Sequence, residues 1–145
     1  MSQAEHKTLA ALIIALPLNS YFAWRVVTGW QAGAFEGDSG IAHWAQLVVW
    51  VIPISLGLNI AASILIDTIG SRDPGAKIVD ERDRQIGRHG MIVGMVVTYT
   101  AVIAMIAGLA LNMAVLAALN IVLAGCTIAD IGGNATRLFL YRRGY

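Results

Sequence analysis

The chain predicts an all-α polytopic membrane protein, a bundle of four transmembrane helices. Three observations carry that prediction. Charged residues make up only 13% of the 145 positions, about half the share usual in a soluble domain. Hydrophobic residues make up 57%, and the mean hydropathy is +0.68. The charges also leave long gaps: residues 39–66 and 90–129 hold none, 8–35 hold only Arg25, and 113–136 hold only Asp130. A helix needs about 20 mostly apolar residues to cross a bilayer. The gaps therefore predict spans at about 8–28, 42–67, 89–111 and 113–137, in a single membrane domain covering 1–145.

Span one starts like a secretory leader, with a weakly basic beginning and an apolar run, but no clean small-x-small cleavage site follows. An uncleaved span is the expectation. Pro17 and Pro53 are expected to bend spans one and two near their middles. Arg25, within about a turn of the first span's end, can snorkel to the interface. Spans three and four carry small-residue faces for close helix approach, Gly90-x-x-x-Gly94 and Gly125-x-x-x-Ala129-x-x-x-Gly133. These faces predict packing within the bundle, with homodimerisation as the alternative use. Asn112 stands alone between the two spans and predicts a tight antiparallel hairpin.

The basic residues predict the orientation. Lys7, Arg72, Lys77, Arg82, Arg84, Arg88, Arg137, Arg142 and Arg143 all fall on one side, and only Arg25 falls on the other. By the positive-inside rule both termini and the 70–88 loop are cytoplasmic, in a cytoplasmic (inner) membrane. Trp24, Trp30, Trp44 and Trp50 lie toward the outer ends of their spans, and Tyr141 and Tyr145 toward the inner end of span four. All are read as interfacial anchors.

The stretch "KIVDERDRQIGRH" from Lys77 to His89 holds seven of the nineteen charged residues. It follows turn chemistry at Asp73-Pro74-Gly75. Asp80 is placed as an N-cap, with Asp83 in a capping-box-like position, and the acidic first turn suits the helix dipole. Asp80–Arg84 and Glu81–Arg84 have helical ion-pair spacing, and Arg88 shares their face. A solvated cap that fixes topology is the plain reading. Orientation needs only basic residues, however, and acidic ones contribute little. The mixed ladder can instead receive a charged partner or pair with the basic tail "RLFLYRRGY". Asp80, Glu81, Arg82, Asp83, Arg84, Arg88 and Arg137 are the candidate docking or ion-pair network.

Two stretches echo each other, "LNIAASILIDTIG" at 58–70 and "LNIVLAGCTIADIGG" at 119–133. Asn59 matches Asn120 and Asp67 matches Asp130. The preceding spans also begin alike, at His6 and His89. The echo predicts a duplicated two-helix hairpin with parallel repeats; chance likeness of apolar segments is the alternative. The four residues are the intramembrane polar candidates. Both aspartates lie toward the cytoplasmic ends, Asp130 about two turns before Arg137. Ion pairing with loop or tail arginines is the structural reading, and a titrating carboxylate in a proton or cation path is the functional one. The asparagines are expected to hydrogen-bond across helices.

No nucleophile elbow, phosphate loop, HExxH or cysteine pair occurs. Cys126 is the single cysteine, so no disulfide forms within the chain. His6, His43 and His89 read as interfacial histidines, with a His6–His89 metal site as a remote alternative. The expectation is no enzyme activity, cofactor, metal or direct nucleic-acid binding. The leading function is a partner-binding or regulatory role, toward another membrane or cytoplasmic protein, through the charged loop. The alternative is a small proton- or cation-coupled transporter or channel using Asp67 and Asp130.

With Asp80, Glu81, Arg82, Asp83 and Ile86 just before span three, and "LFLYRRGY" closing span four, the chain resembles a family of small four-helix integral membrane proteins of bacteria and archaea. That family has an Asp-Glu-Arg-Asp/Glu signature followed by Ile. The likeness is most specific over about 78–89. It implies a four-span layout without any chemistry, and an association of some members with small helix-turn-helix repressors or immunity-type membrane proteins.

Overall fold

The computed structural model describes residues 3–37, 39–70 and 81–143. They form four helices: α1 Gln3–Gln31, α2 Gly40–Gly70, α3 Glu81–Ala110 and α4 Val115–Arg143. All four are long and apolar enough to cross a membrane, as the charge gaps predict. Each has 29 to 31 residues, about 45 Å at 1.5 Å per residue. That exceeds the roughly 30 Å hydrocarbon core, so the helices overrun the predicted spans. The extra turns of α3 are charged, beginning at Glu81, while α4 runs on through Leu138, Phe139, Leu140 and Tyr141 to Arg142 and Arg143. Both Pro17 and Pro53 sit inside continuous helices.

The 110–115 connection shows why Asn112 stands there. Its φ is +59°, in the left-handed region that asparagine tolerates better than most residues. Met113 N–H donates to Gly108 O at 2.9 Å and Asn112 N–H to Leu109 O at 3.0 Å. This pair of bonds is a Schellman cap, which satisfies carbonyls at the helix end and stops α3 within one turn. Gly33, at φ +69°, ends α1 in the same way, with Ala34 N–H donating to Gly29 O at 2.9 Å.

The packing is uneven. α3 and α4 form the closest pair, α1 lies against both α2 and α4, and α2 packs chiefly on α1. The small-residue faces account for the α3–α4 contact. A Cβ on Gly90 would stand 2.7 Å from the Gly133 carbonyl oxygen, and one on Gly133 would stand 2.9 Å from that of Gly90. A Cβ on Gly125 would collide with Ala101. The two backbones therefore touch where only glycine fits, within the chain itself. By contrast, α2 leaves Ile54, Ile64, Leu65 and Ile69 exposed, a surface suited to acyl chains.

Lys7 pairs with Asp67, and Arg82 reaches Tyr141, at the end where α1 and α3 begin and α2 and α4 finish. We term this the terminal end. At the opposite end Trp44 is buried at 8% exposure and donates from Nε1 to Asn120 Oδ1 at 3.0 Å. Trp44 is thus a packing residue rather than the interfacial anchor that its position predicts. Trp24, Trp30 and Trp50 remain exposed.

Candidate functional site

Two groups of polar side chains stand out. The first, at the terminal end, joins the charged motif to the tail. The Arg82 guanidinium donates to the Tyr141 carbonyl oxygen at 3.3 Å, and the Asp83 carboxylate faces the Tyr141 hydroxyl. One turn deeper the stem of Arg137 crosses Gly90, whose Cβ would lie 2.5 Å from Arg137 Cγ. Ile86, between these contacts, has 0% exposure and is the largest fully buried side chain. The motif's α4-facing side is therefore a joint with the tail. The joint runs through Tyr141 and not through the tail's arginines: among the described residues no ion pair links the ladder's acids to Arg137, Arg142 or Arg143.

The outward side of the motif has no such role. Glu81 and Arg84 stand 4.0 Å apart with side chains 71% and 72% exposed, a geometry worth at most a few tenths of a kcal/mol. Arg88 is exposed as well. The expected contributions of Asp80, both as cap and as partner of Arg84, lie outside the described residues, as do Arg72 and Lys77.

The second group lines a cleft of about 600 Å³ between α1, α2 and α4. Asn19, Asn59, Thr127, Asp130, Asn134 and Arg137 face it. Hydroxyls elsewhere in these helices turn back on their own backbone: Thr8 donates to Ala4 O, Thr98 to Gly94 O and Thr136 to Gly132 O. That is the usual way to satisfy a hydroxyl where water is absent. Thr127 instead reaches across to Asn19 Oδ1 at 3.1 Å. Asn134 Nδ2 donates to Asp130 Oδ1 at 3.0 Å and also to the Asp130 carbonyl.

The matched residues of the echo take different partners. Asp67 pairs with Lys7 at 2.7 Å and lies three residues from the end of α2; among the described residues, no ion pair joins it to Arg82, Arg84, Arg88 or Arg137. Asp130 takes Asn134 as its partner, and among the described residues it forms no ion pair with Arg137. It lies near the middle of α4, 15 residues after Val115 and 13 before Arg143. Asn120 bonds across to Trp44. Asn59 donates to Ser55 O of its own helix, so only one of the two asparagines makes the expected interhelical bond.

Asn19, Thr127 and Asn134 were not singled out by sequence reasoning. A signal existed for Asn134, which stands four residues after Asp130 on the same face. Asn19 is a lone amide within an apolar span. Around the histidines, His89 Nδ1 lies 2.8 Å from Gln85 O. No cluster of three or more potential metal ligands occurs among the described residues. No protein-family model, curated protein or solved structure matches the chain.

Proposed function

We propose that this chain is a non-enzymatic integral membrane protein that binds or regulates another protein through its charged terminal-end face. In this reading both termini and the 70–88 loop are cytoplasmic, the membrane is the inner one, and the chain belongs with the four-helix family that its charged motif resembles. One observation supports it above others. The fold uses Arg82, Asp83 and Ile86 to join α3 to the tail, yet Glu81, Arg84 and Arg88 point away and contribute little to it. Charge kept on a surface without a structural role is available for recognition.

The test is co-purification from native membranes with wild type and with Glu81→Ala, Arg84→Ala and Arg88→Ala combined. A specific partner captured by wild type and lost from the triple variant is the expected result. Unchanged capture of every co-purifying protein would remove the basis of this reading.

A second reading, the proton- or cation-coupled transporter or channel, is favoured by the depth of Asp130 and by the cleft it lines. Asp67 no longer supports it, being engaged by Lys7 at the helix end. Liposome flux of protons or common cations that is lost in Asp130→Asn would favour transport over docking. A homodimer would have to use a surface other than the glycine faces, such as the exposed side of α2.

A further inference from the structure

We propose that the cleft between α1, α2 and α4 is a binding site for a small zwitterion, an amino acid or a close analogue with an ammonium and a carboxylate a few bonds apart. The inference concerns a different surface from the docking face and goes beyond that reading.

Two charges in this cleft form no ion pair with each other. Asp130 and Arg137 line the same cleft, and neither takes part in an ion pair among the described residues. Arg137 Nε is buried against Gly90 of α3 without a hydrogen-bond partner, and the side chain also lines the cleft. Charged side chains inside membrane-spanning helices normally pair with each other or mark a ligand path. Here the acid and the base are seven residues apart on one face of α4, about 10 Å between their Cα atoms by helical rise, and the Arg137 side chain leans toward Asp130 and shortens the interval between the charges. A molecule with both charges can bridge that interval, and a molecule with one charge leaves the other group without its counter-charge.

Depth sets the direction. Arg137 stands toward the charged terminal end, and Asp130 is one further step into the bundle. The ligand's ammonium therefore points inward to Asp130 and its carboxylate trails at Arg137. Asn134 already donates to one Asp130 oxygen, which holds the carboxylate in place. Asn59 and the Asn19–Thr127 pair lie deeper still, about 12 Å from Asp67 and about 18 Å from Lys7 along their helices. They supply amide and hydroxyl groups on the inner wall.

The remaining wall is apolar, with Phe22, Val48, Val51 and Leu123. A few polar groups on an apolar wall, in a volume of about 600 Å³, is the composition of small-molecule sites in general. It suits an amino acid with an aliphatic or aromatic side chain. Burying the ligand desolvates both of its charges, and that cost is offset only when the ammonium meets Asp130 and the carboxylate meets Arg137.

The test uses the full chain in lipid nanodiscs, titrated by calorimetry with each proteinogenic amino acid. Binding of one or more with an apolar side chain is expected. Isoamylamine and 4-methylpentanoate keep leucine's carbon skeleton but one charge each, and should bind about tenfold more weakly than leucine or worse. Asp130→Asn and Arg137→Gln should each lose affinity by about the same factor. Asn59→Leu, which fills the cleft from α2 and leaves both charges intact, should abolish binding while thermal unfolding stays close to wild type. Cys126 lines the same cleft, so bound ligand should slow its labelling by a charged thiol reagent. Absence of binding by every amino acid to folded wild type would overturn the proposal. So would equal binding of isoamylamine and leucine, or full affinity in a folded Asp130→Asn. None of these results bears on Glu81, Arg84 and Arg88, so the docking reading stands or falls separately.

Discussion

The ammonium of Lys7 lies 2.7 Å from the carboxylate of Asp67 and links the start of α1 to the end of α2 across 60 residues. The two side chains are 38% and 53% exposed, so water and salt screen the pair. A double-mutant cycle with Lys7→Gln and Asp67→Asn should give a coupling of about 0.2–1 kcal/mol in detergent unfolding. It should shrink at high ionic strength. A coupling that ignores salt would show that the membrane surface shields the pair.

Gly90→Ala and Gly133→Ala should each destabilise the protein by roughly 1–3 kcal/mol, because the added methyl meets a carbonyl of the facing helix. Gly57→Ala is the internal control. Nothing lies within 4 Å of its Cβ, and alanine has the better helix propensity, so it should be neutral or stabilising by up to about 1 kcal/mol. Equal effects at Gly57 and Gly90 would contradict the α3–α4 contact.

These contacts separate what was legible in the sequence from what was not. The glycine faces, the Asn112 turn and the four spans come from local pattern, spacing of four and gaps in charge, and all are found. The start of α3 at Glu81 was legible too, from the cap expected at Asp80, whereas the run of α4 on to Arg143 was not, because hydropathy marks only the stretch inside hydrocarbon. Partners at long range were missed for a different reason. Nothing near Asp67 announces Lys7, and nothing near Asn19 announces Thr127. Trp44 resembles its three exposed counterparts in sequence until the position of Asn120 is known.

Trp44→Phe should cost about 0.6–1.7 kcal/mol, the range for interhelical hydrogen bonds in membranes, with added loss from the smaller ring. Trp50→Phe, at 69% exposure, should change unfolding far less. Tryptophan fluorescence offers a second check: quenching by brominated lipid should fall on Trp50 more than on Trp44.

Asn112 tolerates its φ of +59° where a β-branched residue does not. Asn112→Val should cost about 1–2 kcal/mol, and Asn112→Gly should be neutral or slightly stabilising. Comparable stability in both variants would argue against the left-handed cap.

Reporter fusions after Gly75 and after Gly33 test the orientation proposed from nine basic residues against one. Cytoplasmic activity is expected at the first and external activity at the second. External activity at Gly75 would invert the topology and move the docking face outside the cell.

The uneven packing also bears on biosynthesis. The tightest helix pair is the last to leave the ribosome, while Asn19 on α1 and Trp44 on α2 take their cross-helix partners, Thr127 and Asn120, from α4. During synthesis the first hairpin must wait in the bilayer with those groups unmatched, and α2 has little besides α1 to lean on. Arrival of the final helix supplies both missing partners at once. Ribosome-stalled chains ending before α4 should therefore be the form most open to quality-control proteolysis, and completing that one helix should close the window.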